Sequence, residues 1–259
     1  MRGWHIFTHS AGLVFRNLDA AFRISAVPYC AHIAAQIFLL LNPALLATTE
    51  VGTDIDATMG GALPQVDPLA YALFFCLQFA AAIASLWIAV NWHRYVLLEE
   101  IPAGPVPPFR GDLVLGYFGR SVLIALLLVI ALFTLAIPAG LLMTSMPGAT
   151  LPLVLATVAG VLYVFLRLGV ILPAGTLGRK LTLHNAWQAT GAESGAIFAL
   201  AVISVLGMTL VMIPNIVAGD SLSLLSTVYG LAVGWVVTMV GASLLTSLYG
   251  ICVEGRTIA

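Results

Sequence analysis

Apolar residues run almost unbroken through six stretches of the chain, and the short segments between them collect nearly all of its charge. The stretches are Val27–Thr48, Pro68–Asn91, Ser121–Met143, Leu151–Leu172, Gly195–Val217 and Leu222–Val253. A spanning helix needs roughly 20 mostly apolar residues, and each stretch meets that length. Leu222–Val253 exceeds one bilayer thickness, which predicts tilt or an end outside the hydrocarbon. Lipid offers the backbone no hydrogen-bond partners, so only helices or a closed barrel can span it. Barrel strands would read as short alternating segments. The pattern therefore predicts an all-α polytopic membrane bundle of six transmembrane helices, a single membrane domain over 1–259.

The first 25 residues follow a different period. Trp4, Phe7, Ala11, Val14, Phe15, Leu18 and Phe22 fall on one helical face, and Arg2, His5, His9, Arg16, Asp19 and Arg23 on the other. This predicts an amphipathic helix lying in the membrane interface. The segment has neither the continuous apolar core nor the small-residue cleavage site of a signal peptide.

Composition narrows the function classes. Hydrophobic residues make up 61% of the 259 and charged residues 8%, against about 25% charged in ordinary globular chains. Disorder, a nucleic-acid-binding domain, a disulfide scaffold and a soluble enzyme are excluded. A formal net charge of −1 gives no bulk attraction to a polyanion. The cations are unevenly placed: Arg2, Arg16, Arg23, Arg94, Arg110, Arg120, Arg179, Lys180 and Arg256 flank the same ends of the spans, with Arg167 just inside span four. Loops on the other side have none, and Thr49–Asp67 carries Glu50, Asp54, Asp56 and Asp67. The positive-inside rule then predicts cytoplasmic N- and C-termini. Trp4, Tyr29, Trp92, Tyr95, Tyr117, Trp187 and Tyr249 fall near that interface, where an aromatic belt is expected.

Spans one, three and five each carry a proline near the outer end, Pro43, Pro138 and Pro214, and a segment of interfacial character upstream. This suggests three units of elbow plus helical hairpin, near 1–104, 105–178 and 179–259. Proline is also simply common in membrane helices. Each proline frees a carbonyl one turn earlier and is expected to kink its helix, with Asn42 and Asn215 placed to re-bond the freed groups.

Polar groups inside spans are the default functional suspects, and they are few: His32, Asn42, Gln78, Asn91, Asn215 and scattered Ser and Thr. No carboxylate lies deep in a span. His32 and His93 are conceivable bis-histidine ligands, but no second pair or third ligand accompanies them. Cys30, Cys76 and Cys252 read as small hydrophobes. Glu50, Asp54, Asp56 and Asp67 lack the offsets of an EF-hand loop, and Gly175–Lys180 lacks Walker A spacing. Neither catalytic residues nor a cofactor or metal site is expected. Gly230 and Gly234 form a small-residue stripe for close helix packing, within the bundle or in a dimer. Candidate contacts to lipid or a partner are Arg94, Arg167, Trp92, His93 and Trp187, the arginines toward anionic headgroups; ordinary positive-inside anchoring is the plainer reading.

Trp92-His93-Arg94-Tyr95 closing span two, and Leu181–Gly191 with Ala186-Trp187 and Thr190-Gly191 leading into span five, resemble uncharacterised six-span bacterial inner-membrane proteins related to the membrane domain found ahead of some glycerophosphodiester phosphodiesterases. The resemblance implies a six-helix bundle with interfacial elbows. Phosphodiesterase chemistry belongs to a separate soluble barrel and does not carry over. The expected function is that of a non-catalytic accessory subunit, assembly factor or organiser of a larger membrane complex. Its expected partners are membrane lipids and another membrane protein, not nucleic acid. The alternative is a transporter or lipid-handling protein using a cleft between kinked helices.

Overall fold

The computed structural model describes residues 2–45, 67–102, 104–218 and 223–257; most of the acidic Thr49–Asp67 loop lies outside them. Six helices are long and apolar enough to cross a membrane, so the chain is an all-α, multi-pass membrane protein. In chain order the α-helices are α1 (Arg2–Phe15), α2 (Leu18–Leu41), α3 (Pro68–Leu98), α4 (Gly111–Ser145), α5 (Thr150–Leu168), α6 (Ile171–Thr176), α7 (Leu183–Ala189), α8 (Ser194–Ala218) and α9 (Leu224–Cys252). The short helices α1, α6 and α7 share with all ten cations the end called basal here.

Several boundaries are set by local chemistry. Asp67 caps α3, its side chain accepting from the Leu69 N–H at 3.0 Å, with Pro68 at the first helical position. Ser223 and Ser226 form a reciprocal capping box at α9. The expected interfacial helix over 1–25 divides instead at Arg16–Asn17, and residues 18–25 begin α2. The elbow expected at Phe109–Ser121 is absent as a separate element, because α4 runs unbroken for 35 residues, about 52 Å at 1.5 Å per residue.

Burial is polarised along the bundle. The largest fully buried side chains, among them Ile6, Ile24, Ile88, Trp92, Ile124, Leu166, Ile197, Leu200, Leu248 and Tyr249, lie in the basal half. Toward the far end the buried positions are mostly alanines, such as Ala35, Ala81, Ala139 and Ala159. Small residues let helix backbones approach where lipid supplies no hydrophobic drive between helices. The basal half instead has a core of interlocking side chains, plugged by α6, whose six residues are all buried. Gly169 and Gly175 permit the plug. A Cβ on Gly169 would stand 2.6 Å from Leu245 Cδ2, and one on Gly175 2.3 Å from Arg120 Nη1.

The three expected units are not equivalent. α2 packs along α3 and α4 along α5, but α8 and α9 touch little, and α1 lies against both. Gly3, Ile6, Ser10 and Val14 form its buried stripe. A Cβ on Gly3 would stand 2.6 Å from the Ala196 carbonyl, Ser10 Oγ donates to Ser247 Oγ at 2.8 Å, and Arg2 pairs with Glu193 at 2.8 Å. Trp4, Phe15, Leu18 and Phe22 of the expected apolar face point outward, each at least 40% exposed, as suits a face turned to lipid. The helix is thus apolar on two faces, one for lipid and a narrower one for protein.

The prolines also divide. Pro138 and Pro214 lie inside α4 and α8, whereas Pro43 follows the last residue of α2 and stops it. Asn42 completes that stop: its backbone N–H takes Leu39 O at 3.1 Å, and its side-chain amide donates to Phe38 O at 2.9 Å. Beside Pro214, Tyr229 Oη donates to Val211 O at 2.7 Å. The Asn215 amide faces Gly230. Gly234 packs under Tyr29, whose hydroxyl would be 3.0 Å from an added Cβ and donates to Leu231 O at 2.7 Å. The glycine stripe therefore serves contacts of α9 with α8 and α2 inside the bundle. Gly234→Val is expected to cost about 1–3 kcal/mol, measured as a lowered unfolding midpoint of the detergent-solubilised chain; a midpoint within error of wild type would contradict the contact.

Candidate basal polar site

The sequence WHRYVLLEE, at and just past the end of α3, places six polar side chains in nine residues, and the basal end of α9 meets Trp92 and His93 with Ser243 and Thr246. Trp92 Nε1–H donates to Ser243 Oγ at 2.7 Å. His93 is fully buried, with Nδ1 2.7 Å from Thr246 Oγ1 and Nε2 3.2 Å from Tyr117 Oη. The tautomer follows from the neighbours. Thr246 spends its only proton on Ala242 O at 2.8 Å, so its oxygen accepts from His93 Nδ1–H. That leaves Nε2 bare, to accept from the Tyr117 hydroxyl. One neutral imidazole thereby ties α3, α4 and α9 together.

One residue on, Arg94 turns to the basal surface. Its Nε and Nη2 clasp both oxygens of Glu100, and Nη1 donates to Thr176 O of the plug at 2.6 Å. Arg110 adds a second cation on Glu100 Oε2 at 2.7 Å. Hydrogen bonding from Arg94, assisted by Arg110, holds the Glu100 carboxyl down to about 2. The sign is that of a depressed acid: the staple is complete above the ordinary glutamate value near 4.5 and is lost as pH falls through about 2. Glu100→Gln should therefore lower the melting temperature at pH 7 and shrink the wild-type loss between pH 5 and pH 2. An unchanged acid dependence would remove Glu100 from that role.

A third cluster joins α5, α7 and α8. Thr182 caps α7, its hydroxyl accepting from the Asn185 N–H at 3.2 Å. The cap presents Trp187 to Arg167, whose guanidinium carbon stands 3.7 Å from the Trp187 ring centroid and 5.7 Å from that of Tyr163. Arg167 donates to Thr190 Oγ1 and Tyr163 Oη, both at 3.0 Å, and to the Trp187 carbonyl.

Cavities lie around this framework. One of ≈ 360 Å³ opens beside Arg94, Glu100 and Arg110. A second, ≈ 240 Å³, is lined by His9, Thr246, Ser247 and Arg256 between α1, α3 and α9. A third, ≈ 570 Å³, sits at mid-depth between α4, α5 and α8 and is walled by aliphatic and aromatic side chains with only Ser204 and Thr209 polar.

These positions revise the expected lipid or partner contacts. Trp92 and His93 are fully buried and bonded to protein, so neither faces lipid. Arg94 is committed to Glu100 and the plug. Arg167 is buried, and Trp187 alone of the five is exposed, at 41%. Much of the expected aromatic belt is core as well: Tyr29, Trp92, Tyr117 and Tyr249 are buried, because each hydroxyl or indole finds a partner inside. His32 bonds Ser85 at 3.0 Å, and it and His93 share no site. Among the described residues no three His, Cys, Asp or Glu side chains are grouped as for a metal ion. The sequence places Tyr117 in the aromatic belt and Thr190 in the stretch before span five without the bonds that join them to this network, and it does not single out Thr246. Ser243, Thr246 and Ser247 do share one helical face of span six, which was the signal available.

Comparison of the chain with family models, with curated proteins and with solved structures finds no match.

Proposed function

We propose that this chain is a non-catalytic accessory or organising protein of a larger membrane complex, seated in a bacterial inner membrane with both termini in the cytoplasm. The gathering of all ten cations at the basal end supports that orientation. The observation that carries the reading is α4. It is the longest helix, yet only 11% of its most apolar window is buried inside the chain. Leu126, Ile130, Phe133, Ile137 and Leu141 stand out from it, each more than 60% exposed, while the buried Trp92 and His93 are bonded within the chain. The likeness to the six-span proteins fits this reading, since the residues that carry it, Trp92 to Tyr95 and Ala186 to Gly191, act here as ties between helices.

The test places a photocrosslinking residue at Phe133, and as control at Phe75 on α3, in the tagged chain in its native membrane. Mild-detergent purification and mass spectrometry follow. A stoichiometric protein partner crosslinked from Phe133 and not from Phe75 is expected. A chain that purifies alone, with lipid adducts at both positions, overturns the proposal.

A second reading, lipid handling, draws on the mid-depth cavity. Its ≈ 570 Å³ falls within the range of about 300–1,000 Å³ usual for small-molecule sites, and the buried Ser204 hydroxyl there has no protein partner among the described residues. Co-purification of one defined lipid displaced by Val205→Trp would favour it over the accessory role.

A further inference from the structure

Six of the ten cations sit on carboxylates: Arg2 on Glu193, Arg23 on Asp19, Arg94 and Arg110 on Glu100, Arg179 and Arg256 on Glu254. Arg16 and Lys180 are exposed to solvent or headgroups, and Arg120 is half-buried. Arg167 differs from all of these. It is 6% exposed, and among the described residues no carboxylate lies within the 4.0 Å of an ion pair.

Its partners hold it without neutralising it. A guanidinium has five N–H donors; Nε, one N–H of Nη1 and one of Nη2 are used on Thr190, Tyr163 and the Trp187 carbonyl. One N–H on each Nη remains without a protein acceptor among the described residues. The ring faces of Trp187 and Tyr163 attract the cation, and the carbonyl end of α5 offsets about half a unit charge. A buried cation left at that point is costly. An anion is the missing partner.

Gly191 stands next to the guanidinium: an added Cβ would lie 3.8 Å from Arg167 Nη2, so the glycine puts no side chain of its own over that nitrogen. α8 begins three residues later at Ser194, adding the positive end of a helix dipole. Trp187 and Phe198, 41% and 54% exposed, and Tyr163, packed edge-on against both, form an aromatic surface next to the cation at the basal interface. Aromatic rings at headgroup depth beside a fixed guanidinium match a phospholipid rather than a soluble anion.

We propose that Arg167 is the cationic centre of a binding site for the phosphate of an anionic phospholipid, entered over Gly191 and flanked by Trp187 and Phe198. The site stands independently of the accessory role and of the mid-depth cavity.

The experiment uses the full chain in phosphatidylcholine nanodiscs, titrated with phosphatidylglycerol and read by lipid retention in native mass spectrometry and by melting temperature. Wild type is expected to retain one phosphatidylglycerol and to melt higher as it binds. Gly191→Leu leaves every Arg167 bond in place but covers Nη2, and should weaken retention at least about tenfold, the loss of one charge-assisted hydrogen bond. Gly191→Ala adds only the Cβ, with the same close contact to the Gln188 carbonyl at 3.0 Å, and should weaken retention less than Gly191→Leu. Arg167→Gln should abolish retention. If that variant does not fold, Arg167→Lys replaces it, with charge kept and the planar fork lost, and should bind more weakly than wild type. Equal retention of phosphatidylglycerol and phosphatidylcholine, or wild-type binding by Gly191→Leu, overturns the site. Equal protection by inorganic phosphate overturns the lipid assignment.

Discussion

Replacing His93 with alanine should destabilise the bundle by about 3–5 kcal/mol, the largest single loss expected from any basal side chain. Two costs add. A fully buried side chain leaves a cavity that the packed helices α3, α4 and α9 cannot close. The Tyr117 hydroxyl also loses its acceptor in a dry environment, a penalty of about 1–3 kcal/mol. His93→Gln supplies both an N–H and a carbonyl oxygen and should recover part of the loss. Chemical unfolding in mild detergent measures this; a His93→Ala loss below about 1 kcal/mol would show that the three helices hold without the imidazole.

Gly3→Leu is the second large effect. The contact at Gly3 is with the Ala196 carbonyl in the first turn of α8, 2.6 Å from an added Cβ, and the backbone of a packed helix does not move aside cheaply. Overpacking of this kind costs about 1–3 kcal/mol or more. Here the cost falls on one element, because α1 is held in its slot by a narrow stripe, one buried hydroxyl pair and one ion pair. The helix should leave the slot while the six spans persist. Protease cleavage within residues 2–15 and loss of a Ser10→Cys to Ser247→Cys crosslink report its release. An intact crosslink in the Gly3→Leu background would mean that α1 tolerates the bulk.

These two expectations concern positions of unequal visibility in the sequence. His93 stood out as one of few imidazoles near a span, and its chemistry invited readings as a ligand or a lipid contact. Its partners come from α4 and α9, 24 and 153 residues away, and no local period records such pairings. Gly3 looked neutral beside Trp4 and Phe7. Its importance arises only when α8 passes across it.

The apolar periodicity and length of the runs determined, without any tertiary information, that the chain is helical and crosses a membrane six times, because lipid leaves the backbone no other way to satisfy its hydrogen bonds. The placement of Arg and Lys likewise put every cation at one end, since charge must avoid the hydrocarbon. Tertiary structure alone decided which apolar face meets lipid and which meets protein, because in this solvent both are apolar and burial leaves no compositional contrast. It also decided that Pro43 ends a helix whereas Pro138 and Pro214 lie within theirs, and that α1 packs against both α8 and α9 at their basal ends. It paired Arg2 with Glu193 and Arg179 with Glu254 and left Arg167 buried without a carboxylate, because ion pairs of this kind depend on where two distant turns meet.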